Sequence, residues 1–268
     1  MKFDPKKLRK TVLEMAYVGS SVHIGCAFSI IELLSVLYSK YLRYPENNPS
    51  DNFRDYFLLS KGHGIMAQYA CMRELGWLCD DDFSNYFANG TDLKGLSDSR
   101  NNGVEVTSGS LGHGFSVGVG LAMGAKFRKT GQKTYVLVGD GEINEGPIWE
   151  GAMLANHHQL DDFMVIIDEN GFQAMGPTQN IIELDSIQSK FESFGFEALT
   201  IDGHNERVIE KAIAELWSSD KKTPKALIAK TVKGKGVDFM ENDNSWHYTR
   251  LNHESYQKAL LSLNNENR

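Results

Sequence analysis

Apolar residues recur at helical spacing over residues 5–18, where Leu8, Val12, Met15 and Ala16 share one face. A stronger helical period runs over 28–42, carried by Ile30, Ile31, Leu33, Leu34, Val36 and Leu37. Residues 56–59, Tyr-Phe-Leu-Leu, are short and apolar, as a buried strand requires. The pattern predicts a helix over 65–76 that stops at Gly76, and a polar surface loop over 80–103. The second half alternates more regularly. A Gly/Ala-rich helix over 114–129 precedes a strand at 135–138, the turn Gly139-Asp140-Gly141 and a helix at 147–158. A strand at 163–168, a short helix at 186–194 and a strand at 198–201 follow. The series closes with a helix at 205–218, showing Val208, Ile209, Ala212, Ile213 and Leu216 on one face, and a strand at 226–229. Apolar strands each followed by a helix predict an α/β fold, a mostly parallel sheet with helices on both faces. Ligands of such sheets sit at the carboxyl ends of the strands. With no internal repeat and no low-complexity linker, one domain over 1–268 is expected.

Composition narrows the classes. Hydrophobic residues make up 41% and charged residues 24%, which supports a folded globular chain. A net charge of −7 gives no basic footprint, so no nucleic-acid partner is expected. No apolar run is long enough to cross a membrane, and the charged start MKFDPKKLRK lacks the apolar stretch of a signal peptide. Cys26, Cys71 and Cys79 are odd in number and sit in apolar or helical stretches. Buried thiols in a reducing cytoplasm are the expectation for all three.

The chemistry gathers at strand ends. Asp140 follows an apolar strand between two glycines, where a carboxylate can reach a cation while the backbone passes close to a ligand. Thirty residues later the next strand ends in Asp168-Glu169-Asn170-Gly171, so Asp140 and Asn170 would share one end of neighbouring parallel strands. A carboxylate, an amide oxygen and a backbone carbonyl are hard ligands. They are too few for Mg²⁺, which completes its shell with water and substrate phosphates. The stretch GDGEINEGPIWEGAMLANHHQLDDFMVIIDENG resembles the thiamine diphosphate signature, Gly-Asp-Gly followed at this interval by Asn. The resemblance implies metal ligation by Asp140, Asn170 and the carbonyl of Phe172, and cofactor contacts at Gly139 and Gly141. Glu145 matches an acidic position of that motif close to the diphosphate; a first-turn helix acid is the other reading.

Three histidines stand near glycine, or in a loop, as Val22-His23-Ile24-Gly25, Lys61-Gly62-His63-Gly64 and Ser245-Trp246-His247. Imidazoles so placed can donate to diphosphate oxygens or stabilise charge developing on a carbonyl oxygen. With VHIGCAFSIIELLSVLY, RDYFLLSKGHG, VEVTSGSLGHGFSVGVGLA and KTVKGKGVDFMEN, they make the chain from about residue 20 to 247 similar to the cofactor-binding part of transketolase. The resemblance implies the thiamine diphosphate-binding fold and transfer of a two-carbon ketol unit between sugars or sugar phosphates. It implies catalytic roles for His23, His63 and His247, the last two also touching cofactor. It further implies backbone contacts of Gly109, Leu111 and Gly112 with the pyrimidine side. A turn and helix cap is the preferred reading of Asp202-Gly203-His204-Asn205.

The resemblance covers the diphosphate-binding part of the family alone. It implies a separate C-terminal transketolase subunit that grips the pyrimidine and carries the glutamate activating it, in an α2β2 heterotetramer. Leu96 stands where the family has His, Val22 where it has a small residue and His113 where it has Gln, which implies an altered donor pocket and a specialised sugar. The alternatives are the α subunit of a 2-oxo-acid dehydrogenase and a catalytically silent assembly partner.

Overall fold

A computed structural model describes residues 3–265. The chain opens with three helices, α1 (Pro5–Val18), α2 (Ile24–Phe28) and α3 (Ile31–Val36). Strand β1 (Tyr56–Leu59), α4 (Ile65–Glu74), α5 (Asp80–Ser84) and α6 (His113–Arg128) follow. Next come β2 (Thr134–Gly139), α7 (Gly146–His157), β3 (Phe163–Glu169) and a small hairpin of β4 (Phe172–Gln173) and β5 (Gly176–Pro177). The remainder is α8 (Thr178–Ile181), α9 (Ile187–Ser193), β6 (Glu197–Asp202), α10 (Glu206–Ser218), β7 (Lys225–Lys230) and α11 (His253–Asn265).

Five strands form one parallel sheet in the order β1-β2-β3-β7-β6. Successive side chains of a strand point to opposite faces, so each strand feeds two cores. Tyr135, Leu137, Met164, Ile166 and Leu227 pack on one face with Leu8, Val12, Phe28 and Ile213. Val136, Val138, Val165, Ile167 and Ile228 pack on the other with Phe115, Ile148, Ala152 and Phe191. This burial on both faces is why β1, β2 and β3 read as unbroken apolar runs rather than alternating ones.

Four expectations are corrected. The helix expected over 28–42 is broken, because Ile30 leaves the helical region (φ −109°, ψ 8°) and Leu37–Tyr41 widens into a π-turn. At that break the Ser29 hydroxyl turns to Asp168 at 2.8 Å. The 80–103 segment is not merely a surface loop. Asp82 accepts from the Cys79 amide at 2.7 Å and starts α5, and Phe83, Tyr86, Leu93, Ser97 and Asn101 are buried. Cys79 is exposed at that helix start, whereas Cys26 and Cys71 are buried as expected. Helix α11 is absent from the expected elements, although Asn252 and Ser255 cap each other reciprocally at its start, at 2.8 and 2.9 Å. Among the described residues no helix is long and apolar enough to cross a membrane.

Candidate functional site

The carboxyl ends of β1, β2, β3 and β7 lie at one edge of the sheet, and each delivers polar groups there. Lys61 and His63 follow β1, Asp140 follows β2, Asn170 follows β3, and Lys233 follows β7. A cavity of about 360 Å³ opens among them, lined by His23, Cys26, Lys61, His63, Leu96, Gly109, Leu111, Gly139, Asp140, Gly141, Glu142, Asn170, Phe172, Gln173, Ala174 and His247. A larger cleft of about 650 Å³, between α3 and α10, is lined by buried Glu32 and by His204, Lys40, Asp202 and Arg207 and lacks these strand-end glycines.

The floor is a fixed charge network. Lys61 Nζ sits 2.5 Å from Asp168 Oδ2 and 3.1 Å from the Cys26 carbonyl, with both side chains essentially out of water. Asp168 also accepts from Asn170 Nδ2 at 2.7 Å and from the hydroxyls of Ser29 and Thr231. Burial alone would push Asp168 up, but the Lys61 ammonium and these donors outweigh it and hold the carboxyl below its usual range. Asn170 is thereby oriented with its amide nitrogen spent on Asp168. Its Oδ1 accepts from the Phe172 amide at 3.0 Å and keeps a lone pair free.

Asp140 accepts from the Gly141 and Gly171 amides at 2.8 and 2.6 Å. Burial, and then the Asp168 charge, push its carboxyl up to about 7. A divalent cation beside it would reverse that shift, since a nearby positive charge favours the carboxylate. Among the described residues no three His, Cys, Asp or Glu side chains converge as a metal site of their own. The donors present are one carboxylate, one amide oxygen and the Phe172 backbone. That set suits a hard cation whose shell a diphosphate completes. Gln173 Nε2, on the cavity wall, is a buried donor without a partner. The residues fit a diphosphate with its cation.

His23, His63 and His247 form a triangle on the opposite wall, with ring centroids 5.3 to 5.6 Å apart. His23 adopts a left-handed conformation (φ 66°) ahead of α2, which swings its ring inward. Lys233 Nζ lies 2.9 Å from His247 Nδ1 and donates to Asn244 Oδ1 at 2.7 Å. An ammonium has no lone pair, so His247 Nδ1 accepts and its Nε2 carries the proton. Burial, and then Lys233, lower His23 to about 4 and His247 to about 3. Burial, Lys61 and the other two imidazoles push His63 well below its ordinary value. All three rings are neutral near pH 7 and can donate to an anion without the cost of a trapped positive charge.

Two expected site residues lie outside the cavity lining. Glu145 is exposed at the start of α7. Gly112 is buried and acts through its amide, 2.8 Å from Glu142 Oε1. Glu142, not Glu145, is the glutamate that lines the cavity, accepting from the amides of Gly112 and Gly139 and from the Ser60 hydroxyl; burial raises its pKa. Sequence reasoning missed Glu142, Lys61, Asp168, Cys26, Lys233 and Gln173. Lys61 and Glu142 directly adjoin the singled-out GHG and GDG motifs, so position alone marked them.

Comparison with known proteins identifies the family. The family described as transketolase, thiamine diphosphate binding domain, matches residues 6–265. An apulose-4-phosphate transketolase subunit of Phocaeicola vulgatus is 36% identical over 263 residues, covering 98% of this chain and 93% of that protein. The 6-deoxy-6-sulfo-D-fructose transketolase subunit SqwG of Clostridium sp. is 35% identical over 97% of this chain and 94% of its own length. The transketolase structure from Leishmania mexicana superposes with a TM-score of 0.86 at 28% identity over 97% of this chain, which spans 40% of that longer protein. The chain belongs to the transketolase family, as its thiamine diphosphate-binding domain. Its fold is the thiamine diphosphate-binding fold, and its cofactor is thiamine diphosphate.

Proposed function

We propose that this chain is the diphosphate-binding subunit of a two-subunit transketolase that moves a two-carbon ketol unit between sugars or sugar phosphates. The observation that carries the reading is the convergence of Asp140, Asn170 and three imidazoles on one strand-end cavity. When bound, thiamine diphosphate supplies a thiazolium carbon that stabilises negative charge on the transferred fragment. In this reading Asp140, Asn170 and the Phe172 carbonyl hold Mg²⁺, and Gly139 and Gly141 let the backbone approach the diphosphate. His63 and His247 donate to cofactor or substrate oxygens, and His23 faces the reacting end. Gly109, Leu111 and Gly112 border the pyrimidine side. Glu145 has no contact in the cavity; standing exposed beside Gly112, it is a candidate for the subunit interface.

Relatives that are themselves named as single transketolase subunits, and that match nearly end to end, support a separate partner chain completing the pyrimidine side. An α2β2 assembly with that partner, in the cytoplasm and with this chain as one domain, is part of this proposal. Leu96, 41% exposed on the cavity wall, offers a donor hydroxyl no hydrogen bond. That supports a specialised donor. Calorimetric titration of the chain with thiamine diphosphate and Mg²⁺ tests the site. Asp140→Ala should abolish Mg²⁺-dependent binding while the chain stays folded, and Asn170→Ala should weaken it less, because the amide brings no charge. Unchanged affinity in Asp140→Ala would overturn the metal assignment.

A further inference from the structure

His204 lies outside the strand-end cavity, on the wall of the larger cleft with Glu32, and is bound into the structure on both ring nitrogens. The Val232 amide donates to its Nε2 at 2.8 Å, so the ring proton sits on Nδ1 and donates to Glu32 Oε2 at 2.9 Å. Glu32 is buried, and Arg9, also buried, grips it through two guanidinium nitrogens at 2.7 and 2.8 Å. The same guanidinium donates from Nε to the Lys235 carbonyl at 2.9 Å. Arg9, Glu32 and His204 therefore hold the segment 231–236 at two points, Val232 and Lys235. Between them Gly234 donates to the Gly25 carbonyl at 3.1 Å, tying the segment to the helix that begins after His23. Lys233, in the middle, reaches the other way and meets His247 Nδ1.

We propose that His204 is a positioning residue: with Glu32 and Arg9 it fixes the 231–236 segment so that Lys233 holds His247 as the tautomer with its proton on Nε2, available to the cavity. The geometry follows from atom types. A backbone N–H only donates, a carboxylate only accepts, and an ammonium only donates. Each link therefore has one polarity, from Arg9 and His204 into Glu32, from Val232 into His204 and from Lys233 into His247. Loss of the His204 acceptor leaves the Val232 amide unpaired and frees Lys233 to move off Nδ1. The value of this for ketol transfer rests on the site reading above; the tautomer itself does not.

The test uses the full chain with ¹⁵N-labelled histidine, followed by magnetic resonance, together with hydrogen exchange at residues 231–236. The wild-type chain should show His247 in one tautomer, protonated on Nε2. His204→Leu keeps bulk and removes the acceptor. It should speed exchange of the Val232 amide about tenfold, the loss of roughly one hydrogen bond, and give His247 a tautomer mixture. His204→Gln, which can accept from Val232 and donate to Glu32, should restore both. In the assembled enzyme His204→Leu should lower kcat with little change in KM. A wild-type His247 protonated on Nδ1 overturns the proposal, as does a folded His204→Leu with unaltered exchange and tautomer. If His204→Leu does not fold, a folded His204→Gln with mixed His247 tautomers overturns it equally. A failure of the transketolase reading would appear instead as an assembled wild-type enzyme without ketol transfer, with the resonance result unaffected.

Discussion

Lys61 and Asp168 illustrate how little local sequence says about a buried charge. They lie 107 positions apart, yet form an ion pair with side chains 1% and 0% exposed. Removing one partner of such a pair strands the other, at a cost of about 3–5 kcal/mol. Lys61→Met should therefore lower the unfolding free energy by that order in a urea titration, and a loss under about 1 kcal/mol would show that Asp168 is satisfied without it. The imidazoles give a pH signature of their own. His23 and His247, at about 4 and 3 in the folded chain, titrate near 6.5 when unfolded. Between those values the unfolded state binds more protons, so stability is fully present above pH 6.5 and falls as pH drops toward 4. Asp140, held at about 7, works against this over the same range, so the readout is the difference between variants: in thermal unfolding of the cofactor-free chain, His23→Asn should lose less stability than wild type on going from pH 7 to pH 4. An equally steep profile in that variant would count against a neutral His23.

Helix α6 sits so close to the sheet that its glycines are not interchangeable. A Cβ on Gly114 would meet the Ser60 Cα at 2.8 Å and its side chain at 2.6 Å, at the strand end that leads into Lys61. On Gly120, further along the helix, a Cβ would meet nothing within 4 Å. In the same helix the two substitutions therefore have opposite signs. Gly120→Ala gains the helix preference of alanine, up to about 1 kcal/mol. Gly114→Ala gains the same preference but must push backbone, and overpacking of roughly 1–3 kcal/mol wins. Chemical denaturation of both variants checks the contrast; equal effects would show that α6 shifts freely over the sheet. The composition of 114–129 announced a close-packing helix, but which glycines touch the sheet depends on the angle at which α6 crosses β1 and β2.

The assembled molecule should be active where this chain alone is not. Val117 and Phe127 of α6 and Met153 and Leu154 of α7 are 42 to 70% exposed on two helices packed together. These exposed apolar side chains on neighbouring helices are candidates for burial against the partner chain. Exchange of the thiazolium C2 proton for deuterium, followed by magnetic resonance, should be slow with the isolated chain and rise when the partner chain is added. Full-speed exchange by the chain alone would sink the two-subunit reading. Phe127→Asp and Met153→Asp should weaken association in sedimentation while leaving cofactor-free thermal stability of this chain nearly unchanged.

The linear order of residues was enough for the strands and for bringing Asp140 and Asn170 to one strand-end cavity. Strands buried on both faces need continuous apolar runs, and Asp140 and Asn170 fall one helix and one strand apart, so short-range pattern carries both. His23, His63 and His247 were visible for a related reason, since each stands in a segment that resembles a family motif. Folding brought in what no short stretch encodes. Cys26, Lys61, Glu142, Asp168 and Lys233 come from five separate segments, and their pairing depends on strand order, with β7 inserted between β3 and β6. The same long-range packing chose Glu142 over Glu145 for the cavity, though the two are near neighbours on one turn, and buried Phe83, Tyr86 and Leu93 in a segment whose composition reads as loop. It also turned His204 from a turn residue into the link between Glu32 and Val232. Charge and burial at these positions are set by neighbours far along the chain, and a periodicity reads only near ones.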